Sequence, residues 1–599
     1  MCGIFALMSK LDVSVIQNEF EKGKNRGPEY SKLTKINLLH AKDNNMYLGF
    51  HRLAINGLND KSNQPLVHSG VFLICNGEIY NYKQLYDMMN LKGQTDSDCE
   101  VIIHLYQKYG FEQMLRMLDG VFSIILLDNS VLKDPKLFIG RDPYGVRPLY
   151  INDSKNNDET LLAVSSDLKM ITDLMRDDFK MKQNDIYLEN SIKHFIPGTY
   201  SYYTLNIDRW KLEVENKKYI TLSIPDFTDN EMLKKMKYFD TFTIEDGDKF
   251  KLVLEKISKS LEVAVEKRVD NTDRPVACLL SGGLDSSLIC AIVNNVLKMK
   301  SKQQLETYSI GLKDSEDLRY ARIVAEYLNT KHTEVVVTEK EMIEAIPQVV
   351  YEVETYDTTT IRASVGNYLV AKYISKNSDA KVIFNGDGAD ELMGGYLYFH
   401  KCPDTIEFDK ECKRLLSTIY CYDVLRSDKS ISSNGLEART PFLDRFFVQT
   451  YLSLHPDLRN HNKIEKCEKY LIREAFSRKR YSNKPILPDK ILWRTKEAFS
   501  DGVSKKTRSW FEIINEYLDN YERVVNKDLV EVKNTTNDEL SLEQNYYLDI
   551  FNQYYAKHKQ IIPFYWMPKY VDAKDSSART LDIYQKINNE KNDKNIGKV

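Results

Sequence analysis

The chain has 599 residues, more than one hydrophobic core usually serves, so about two to four domains are expected. Lys+Arg 84 against Asp+Glu 87 leaves a net charge of −3 with no basic block, which excludes a general nucleic-acid or polyanion binder. A mean hydropathy of −0.46 with no long apolar run excludes a membrane span, and the start Met-Cys-Gly-Ile-Phe-Ala-Leu lacks a secretory pattern, so a cytoplasmic chain is expected.

In chain order, residues 2–205 carry short β-type runs at 47–52, 71–76, 122–128 and 136–140, with two helical patterns at 82–90 and 98–110 between the second and third. This mixture predicts stacked sheets with covering helices. Residues 206–246 are rich in Lys, Asp and Thr and are expected to link two domains. From 247 the rhythm changes to a long amphipathic helix, then strands at 275–280, 305–312, 332–338 and 381–385 alternating with helices. That alternation predicts a doubly wound parallel sheet, with added helices up to about 570. Residues 571–599 are expected to be a tail, disordered from Lys586. Nine scattered cysteines form no C-x-x-C pair, and no His pair has zinc spacing, so neither a disulfide framework nor a structural metal is expected.

Ser281-Gly282-Gly283-Leu284-Asp285-Ser286 follows an apolar strand and opens a helix. Its N–H groups and hydroxyls sit where a phosphate binds, the glycines permit close approach, and Asp285 can help hold Mg²⁺ against the phosphates. It is no Walker loop, because that spacing and its lysine are missing. Leu280 ends the first strand and Ile310 lies near the end of the second, so both flank the crevice where an adenine ring finds apolar faces and backbone hydrogen bonds. The third strand runs into Asn385-Gly386-Asp387-Gly388-Ala389-Asp390-Glu391, a concentration of carboxylates that lacks a dinucleotide fingerprint.

Cys2 stands out once Met1 is set aside. Its α-amine, with a pKa of about 7.7–8.0, can act as base for its own thiol. A zwitterionic amino acid such as glutamine needs a cation for its carboxylate and anions for its ammonium, which Arg52, Glu78 and Asp98 supply. Asn76 and the Gly77 N–H are candidates for an oxyanion hole.

Together with Arg26-Gly27-Pro28-Glu29, Gln64-Pro65, Asn76-Gly77-Glu78-Ile79-Tyr80-Asn81 and Gly140-Arg141-Asp142-Pro143, these residues resemble the type II glutamine amidotransferase domain. The Ser-Gly-Gly-Leu-Asp-Ser loop resembles that of ATP pyrophosphatases. The two in this order resemble the eukaryotic-type, glutamine-hydrolysing asparagine synthetase family over nearly the whole chain, helped by Glu354-Thr355-Tyr356-Asp357, Arg439-Thr440-Pro441-Phe442-Leu443-Asp444, Lys496-Glu497-Ala498-Phe499 and Tyr565-Trp566-Met567-Pro568-Lys569. The resemblance implies an αββα N-terminal-nucleophile sandwich and a glutamine site at Arg52, Leu53, Ala54, Ile55, Asn56, Asn76, Gly77, Glu78 and Asp98. It implies an ATP site at Leu280, Ser281, Gly282, Gly283, Asp285, Ser286, Ile310, Asn385 and Gly386. Thr359, Arg362, Asp390 and Lys496 would hold pyrophosphate or the activated intermediate, and relatives are commonly homodimers.

Two departures accompany the resemblance. Asn385-Gly386-Asp387-Gly388 stands where the most similar family members carry Ser-Gly-Glu-Gly, and Asp387 keeps the charge one methylene short. Arg26-Gly27-Pro28-Glu29 replaces the usual Arg-Gly-Pro-Asp. The acceptor carboxylate stays open on the residues alone. A β-lactam synthetase lacks the N-terminal cysteine, and a sugar aminotransferase lacks the 281–286 loop.

Overall fold

The computed structural model describes the chain apart from residues 40, 42–44, 154–161, 175–191, 207–208, 222–246, 301–303, 482, 495, 497–501, 505–507, 529–539, 556–557, 574, 583 and 585–599. The strand Gly3–Ser9 is buried along its length, and the two-residue period of a strand divides it between two layers. Ile4, Ala6 and Met8 pack with Phe50, Ile125, Leu127 and Ile139 between two sheets, while Phe5 and Leu7 pack outward with Ile16 and Phe20.

The first sheet runs Ile192–His194, Tyr150–Asp153, Leu162–Ser165, Gly3–Ser9, Asn45–Arg52, Tyr30–Ile36. The second runs Arg209–Lys218, Thr199–Asn206, Lys136–Arg141, Gly120–Asp128, Val71–Ile79, Leu66–His68. Helices Tyr82–Met89, Val101–Tyr109 and Phe111–Met117 bury Leu85, Ile102 and Leu115 against the outer face of the second sheet. Helix Val13–Glu21 covers the first, completing the expected αββα sandwich.

The second half holds a five-stranded, all-parallel sheet ordered Lys331–Val337, Glu306–Leu312, Val276–Leu279, Val382–Phe384, Glu437–Arg439. Helices Gly247–Asp270, Leu284–Lys300 and Glu316–Leu328 pack on one face with Cys278 and Phe384. Glu339–Val353 and Thr358–Asn377 pack on the other with Ala277, Ile310 and Ile383. The chain starts at the central strand, winds to one edge, then returns to the other side. That switch lies beside Val276–Leu279, where such sheets open a ligand crevice.

Two expectations need adjustment. The linker expected at 206–246 begins instead with the strand Arg209–Lys218, which pairs antiparallel with Thr199–Asn206 and buries Trp210. The rest of that segment, 222–246, lies outside the described residues, as does the disorder expected from Lys586. The tail expected from 571 starts as ordered chain, since Asp575 pairs with Arg362. All nine cysteines are free, and seven are buried.

Candidate active sites

Cys2 sits half-buried just before the first central strand. Its carbonyl accepts from Arg26 Nε at 3.0 Å. With its amide nitrogen turned toward Cys2, Asn76 donates to the same carbonyl at 3.0 Å and accepts from Arg26 Nη2 at 3.2 Å. The thiol lies 3.7 Å from the Leu53 carbonyl. Desolvation pushes its pKa up, against the opposing pull of the chain's terminal amine and Arg52.

The Gly77 N–H is placed by the strand pattern. Past Leu73 the strand Val71–Ile79 has one open edge, because Leu66–His68 pairs only with 71–73. On that edge the Cys75 N–H donates to Gln64 Oε1 at 2.6 Å, and the Ile79 N–H to Asp98 Oδ2 at 2.6 Å. Gly77 lies two residues from each and so faces the same way, and among the described residues no acceptor is paired with its N–H. A Cβ there would stand 2.3 Å from the Val121 carbonyl oxygen, so only glycine fits.

Arg52 ends the strand Asn45–Arg52, and the turn after it wraps its guanidinium with neutral acceptors: Asn59 O at 2.9 Å, Asn63 Oδ1 at 2.7 Å, Asn56 O at 3.3 Å and the Gly57 carbonyl. No carboxylate pairs with it among the described residues, leaving its charge for a ligand anion. Opposite in sign, Glu78 and Asp98 are both buried. Glu78 Oε2 accepts from Asn56 at 2.6 Å and Asn271 at 2.7 Å, and Asp98 Oδ2 accepts from Asn271 at 3.3 Å. Burial and the neighbouring carboxylates Glu437 and Asp98 push Glu78 well up, and burial likewise raises Asp98. Such a pair suits an incoming ammonium.

Second-domain residues complete this site, and sequence reading had not placed them there. Arg439 Nη2 lies 3.3 Å from Glu78, and Asn271 bridges both carboxylates. The loop 53–57 is clamped by the same segment: Arg274 donates to the Ala54 carbonyl at 2.8 Å, and the Asp273 N–H donates to the Ile55 carbonyl at 2.9 Å. Buried ion pairs continue across the domain boundary, Arg26–Asp428 at 2.8 Å and Arg147–Asp428 and Arg147–Glu437 at 3.5 Å, while within the second domain Glu437 also holds Arg439 at 2.8 Å.

Met1 occupies a buried position, and its terminal ammonium donates to the Leu436 carbonyl at 3.1 Å, with burial pulling its pKa to about 5. While Met1 is attached, the Cys2 nitrogen is an amide without base strength. Mass spectrometry of active protein is therefore expected to show Met1 absent. Full glutaminase activity in a chain that keeps Met1 removes the N-terminal-amine role.

The second site is a cavity at the switch point of the parallel sheet. Leu280, Ser281, Gly283, Asp285, Ser286, Ile310, Asn385, Gly386, Asp387, Asp390, Thr359 and Lys496 all line it. Leu284 starts the helix, so the loop before it presents its N–H groups to the cavity. Ser281 and Ser286 hydroxyls lie 2.9 Å apart. Gly282 does not line the cavity. At φ +72° it backs onto Tyr320, whose carbonyl carbon would lie 2.4 Å from a Cβ. Gly386 brings the third loop against Asp285, 2.8 Å from where its Cβ would be.

Facing the loop is Lys469, which sequence reading missed because no motif marks it. It is buried with Nζ 2.6 Å from Asp285 and 2.5 Å from Asp390. Lys496 Nζ adds a second cation 2.5 Å from Asp390. Burial acts to raise the Asp390 carboxyl, but the two lysines outweigh it and hold it at about 2. Asp387 pairs with Arg426 at 2.8 Å, while burial raises its pKa. Asn385 donates to Ser427 Oγ at 2.6 Å.

Arg362 is a correction. Thr359, Ala363, Asn367 and Val370 form the row of helix Thr358–Asn377 that lines the cavity. Arg362 lies off that row, outside the cavity wall, and pairs with Glu543 at 2.7 Å and with Asp575 at 2.7 and 2.8 Å.

Comparison with known proteins assigns a family to each half of the chain. A family model described as glutamine amidotransferase domain matches residues 1–207, and one described as asparagine synthase matches 256–408 and 403–560. Asparagine synthetase (glutamine-hydrolyzing) of Cricetulus griseus is 40% identical over 598 residues, covering 98% of this chain and 99% of that protein. The Gallus gallus protein of the same name is 39% identical over 593 residues, with 98% and 99% covered. Among solved structures, NMN synthetase from Francisella tularensis aligns at 12% identity and a TM-score of 0.23, covering 53% of this chain and 98% of that one. With two family models in this order and relatives matched end to end, the chain belongs to the glutamine-hydrolysing asparagine synthetase family.

Proposed function

We propose that this chain makes asparagine from aspartate, ATP and glutamine. The observation that carries the reading is that one chain sets Cys2 beside Asn76 and an uncompensated Arg52, and a phosphate-type loop opposite Lys469 and Lys496.

Glutamine places its carboxylate on Arg52 and its ammonium between Glu78 and Asp98. The Cys2 sulfur attacks the amide carbon, and the resulting oxyanion accepts hydrogen bonds from Asn76 and the Gly77 N–H. Ammonia leaves, and water releases glutamate from the thioester. In the second site the side-chain carboxylate of aspartate attacks the α-phosphorus of ATP, forming β-aspartyl-AMP and pyrophosphate. Lys469 and Lys496 offset charge on the departing phosphates. Ammonia reaches the second site inside the protein and displaces AMP, and Asp387 takes a proton from it. The buried ion pairs across the domain boundary support an internal route.

Mg²⁺ fits this cavity: Asp285 Oδ1 is buried, lines it and lacks a hydrogen-bond partner among the described residues, and Mg²⁺ typically takes one or two carboxylates plus substrate phosphates. Bound there, the ion would supply charge neutralisation on the phosphates. Nine free cysteines support a reducing, cytoplasmic setting.

The test is pyrophosphate release with ATP and Mg²⁺ across a panel of carboxylate acceptors, with glutamine or ammonium as nitrogen source. Aspartate is expected to support release with matching amounts of asparagine, from either source. Release with another carboxylate and none with aspartate reassigns the acceptor.

A further inference from the structure

Six carboxylates line the second cavity, and five are matched by a cation. Asp285 and Asp390 pair with Lys469, Asp387 and Asp423 with Arg426, and Asp317 lies 3.5 Å from Arg494. Glu391 is the exception among the described residues. It is 3% exposed, its Oε1 accepts from the Tyr396 hydroxyl at 2.6 Å, and its Oε2 has no hydrogen-bond partner. A buried carboxylate left without a counter-charge is costly unless a ligand supplies one.

We propose that Glu391 seats the α-ammonium of the acceptor amino acid, with Tyr396 and Trp566 as the wall beside it. This rests on reading the cavity as the aspartate-activating site. The preceding residue, Asp390, turns to the two lysines that face the phosphate loop, so consecutive residues serve the phosphate end and the amino-acid end of one cavity.

Trp566 reaches the cavity from the far end of the chain. Its ring lies 5.1 Å from that of Tyr396, its backbone N–H donates to Asp357 Oδ1 at 2.7 Å, and its carbonyl accepts from Thr359 Oγ1 at 3.4 Å. The Tyr422 hydroxyl holds the Phe564 carbonyl at 2.7 Å, and Arg362 anchors the strap further on through Asp575. The displacement of Arg362 from the cavity wall thus acquires a purpose: it positions the strap that carries Trp566.

The experiment compares pyrophosphate release with aspartate and with succinate, which keeps both carboxylates and lacks the ammonium, using the full chain. Wild type is expected to prefer aspartate by about 10²-fold or more in kcat/KM. Glu391→Gln is expected to lose most of that preference through aspartate KM, with ATP KM and the Cys2 glutaminase unchanged. Trp566→Ala should raise aspartate KM, and Trp566→Phe should restore it. If the amide does not fold, Glu391→Ala is read the same way. An active position-391 variant that keeps the wild-type aspartate-to-succinate ratio overturns the proposal and leaves Glu391 a neutral acid tied to Tyr396. Wild-type chain that releases no pyrophosphate with aspartate overturns the activating-site reading itself, and this proposal with it.

Discussion

Cys2→Ala is expected to lose glutaminase and glutamine-dependent synthesis by roughly 10⁴-fold or more while keeping ammonium-dependent asparagine formation. In the proposed reaction the sulfur is the attacking atom, and its neighbours Asn76, Arg26 and Arg52 are donors that do not replace it. Ammonia is the sole species passed to the second site, so ammonium from solution bypasses the loss. Alanine is smaller than cysteine and uncharged, and Cys2 is half-buried, so the strand Gly3–Ser9 should keep its pairings with Asn45–Arg52. The assay is asparagine formation with each nitrogen source on the same preparation. Loss of the ammonium reaction in folded Cys2→Ala would refute the division into two sites, and retention of the glutamine reaction would remove Cys2 as nucleophile.

Lys469→Met is expected to do the opposite, lowering pyrophosphate release about 10²–10³-fold with either nitrogen source while glutaminase persists. Methionine matches the length of the stem and deletes the charge. Asp285 and Asp390, now 2.6 and 2.5 Å from the same ammonium, would face each other with only Lys496 between them. Removing one partner of a buried pair typically costs about 3–5 kcal/mol, so the thermal midpoint should fall as well. A variant that melts lower but synthesises at the wild-type rate would make Lys469 purely structural. Repeating the assay with Lys469→Arg, which restores charge with a broader head, separates charge from fit.

Local signals were readable in the sequence where chemistry and backbone coincide. The 281–286 loop needs a strand before it and a helix after it, and all three are contiguous. Residues 76–78 occupy a single strand and reach the candidate glutamine site together. What the sequence did not reveal arrives from afar: Asn271 meets Glu78 across 193 positions, and no periodicity marks such a meeting. The strand Glu437–Arg439 has three residues, too few for an alternation to register. In Arg209–Lys218 the alternation exists, with Trp210, Leu212 and Val214 packed against the sandwich, but charged residues between them gave the segment the composition of a linker. Arg362 failed for another reason. A motif names residues in order, whereas a helix sends neighbours to different sides, and the side that Arg362 faces holds Glu543 and Asp575.

The short strand Glu437–Arg439 limits how the molecule can be taken apart. Its main chain receives the Asn385 N–H at 3.1 Å, fixing the third nucleotide loop, while its arginine side chain reaches Glu78 in the other domain. A gene cut between the halves leaves the first half with two adjoining acids that have lost Arg439 and with Arg147 cut off from Asp428 and Glu437, while Arg439 keeps only Glu437 as counter-ion. Grafting a foreign ammonia-producing module onto this synthetase therefore requires the newcomer to present a carboxylate at the position of Glu78. Recombination that respects domain boundaries but ignores this strand should give two soluble pieces and no working enzyme.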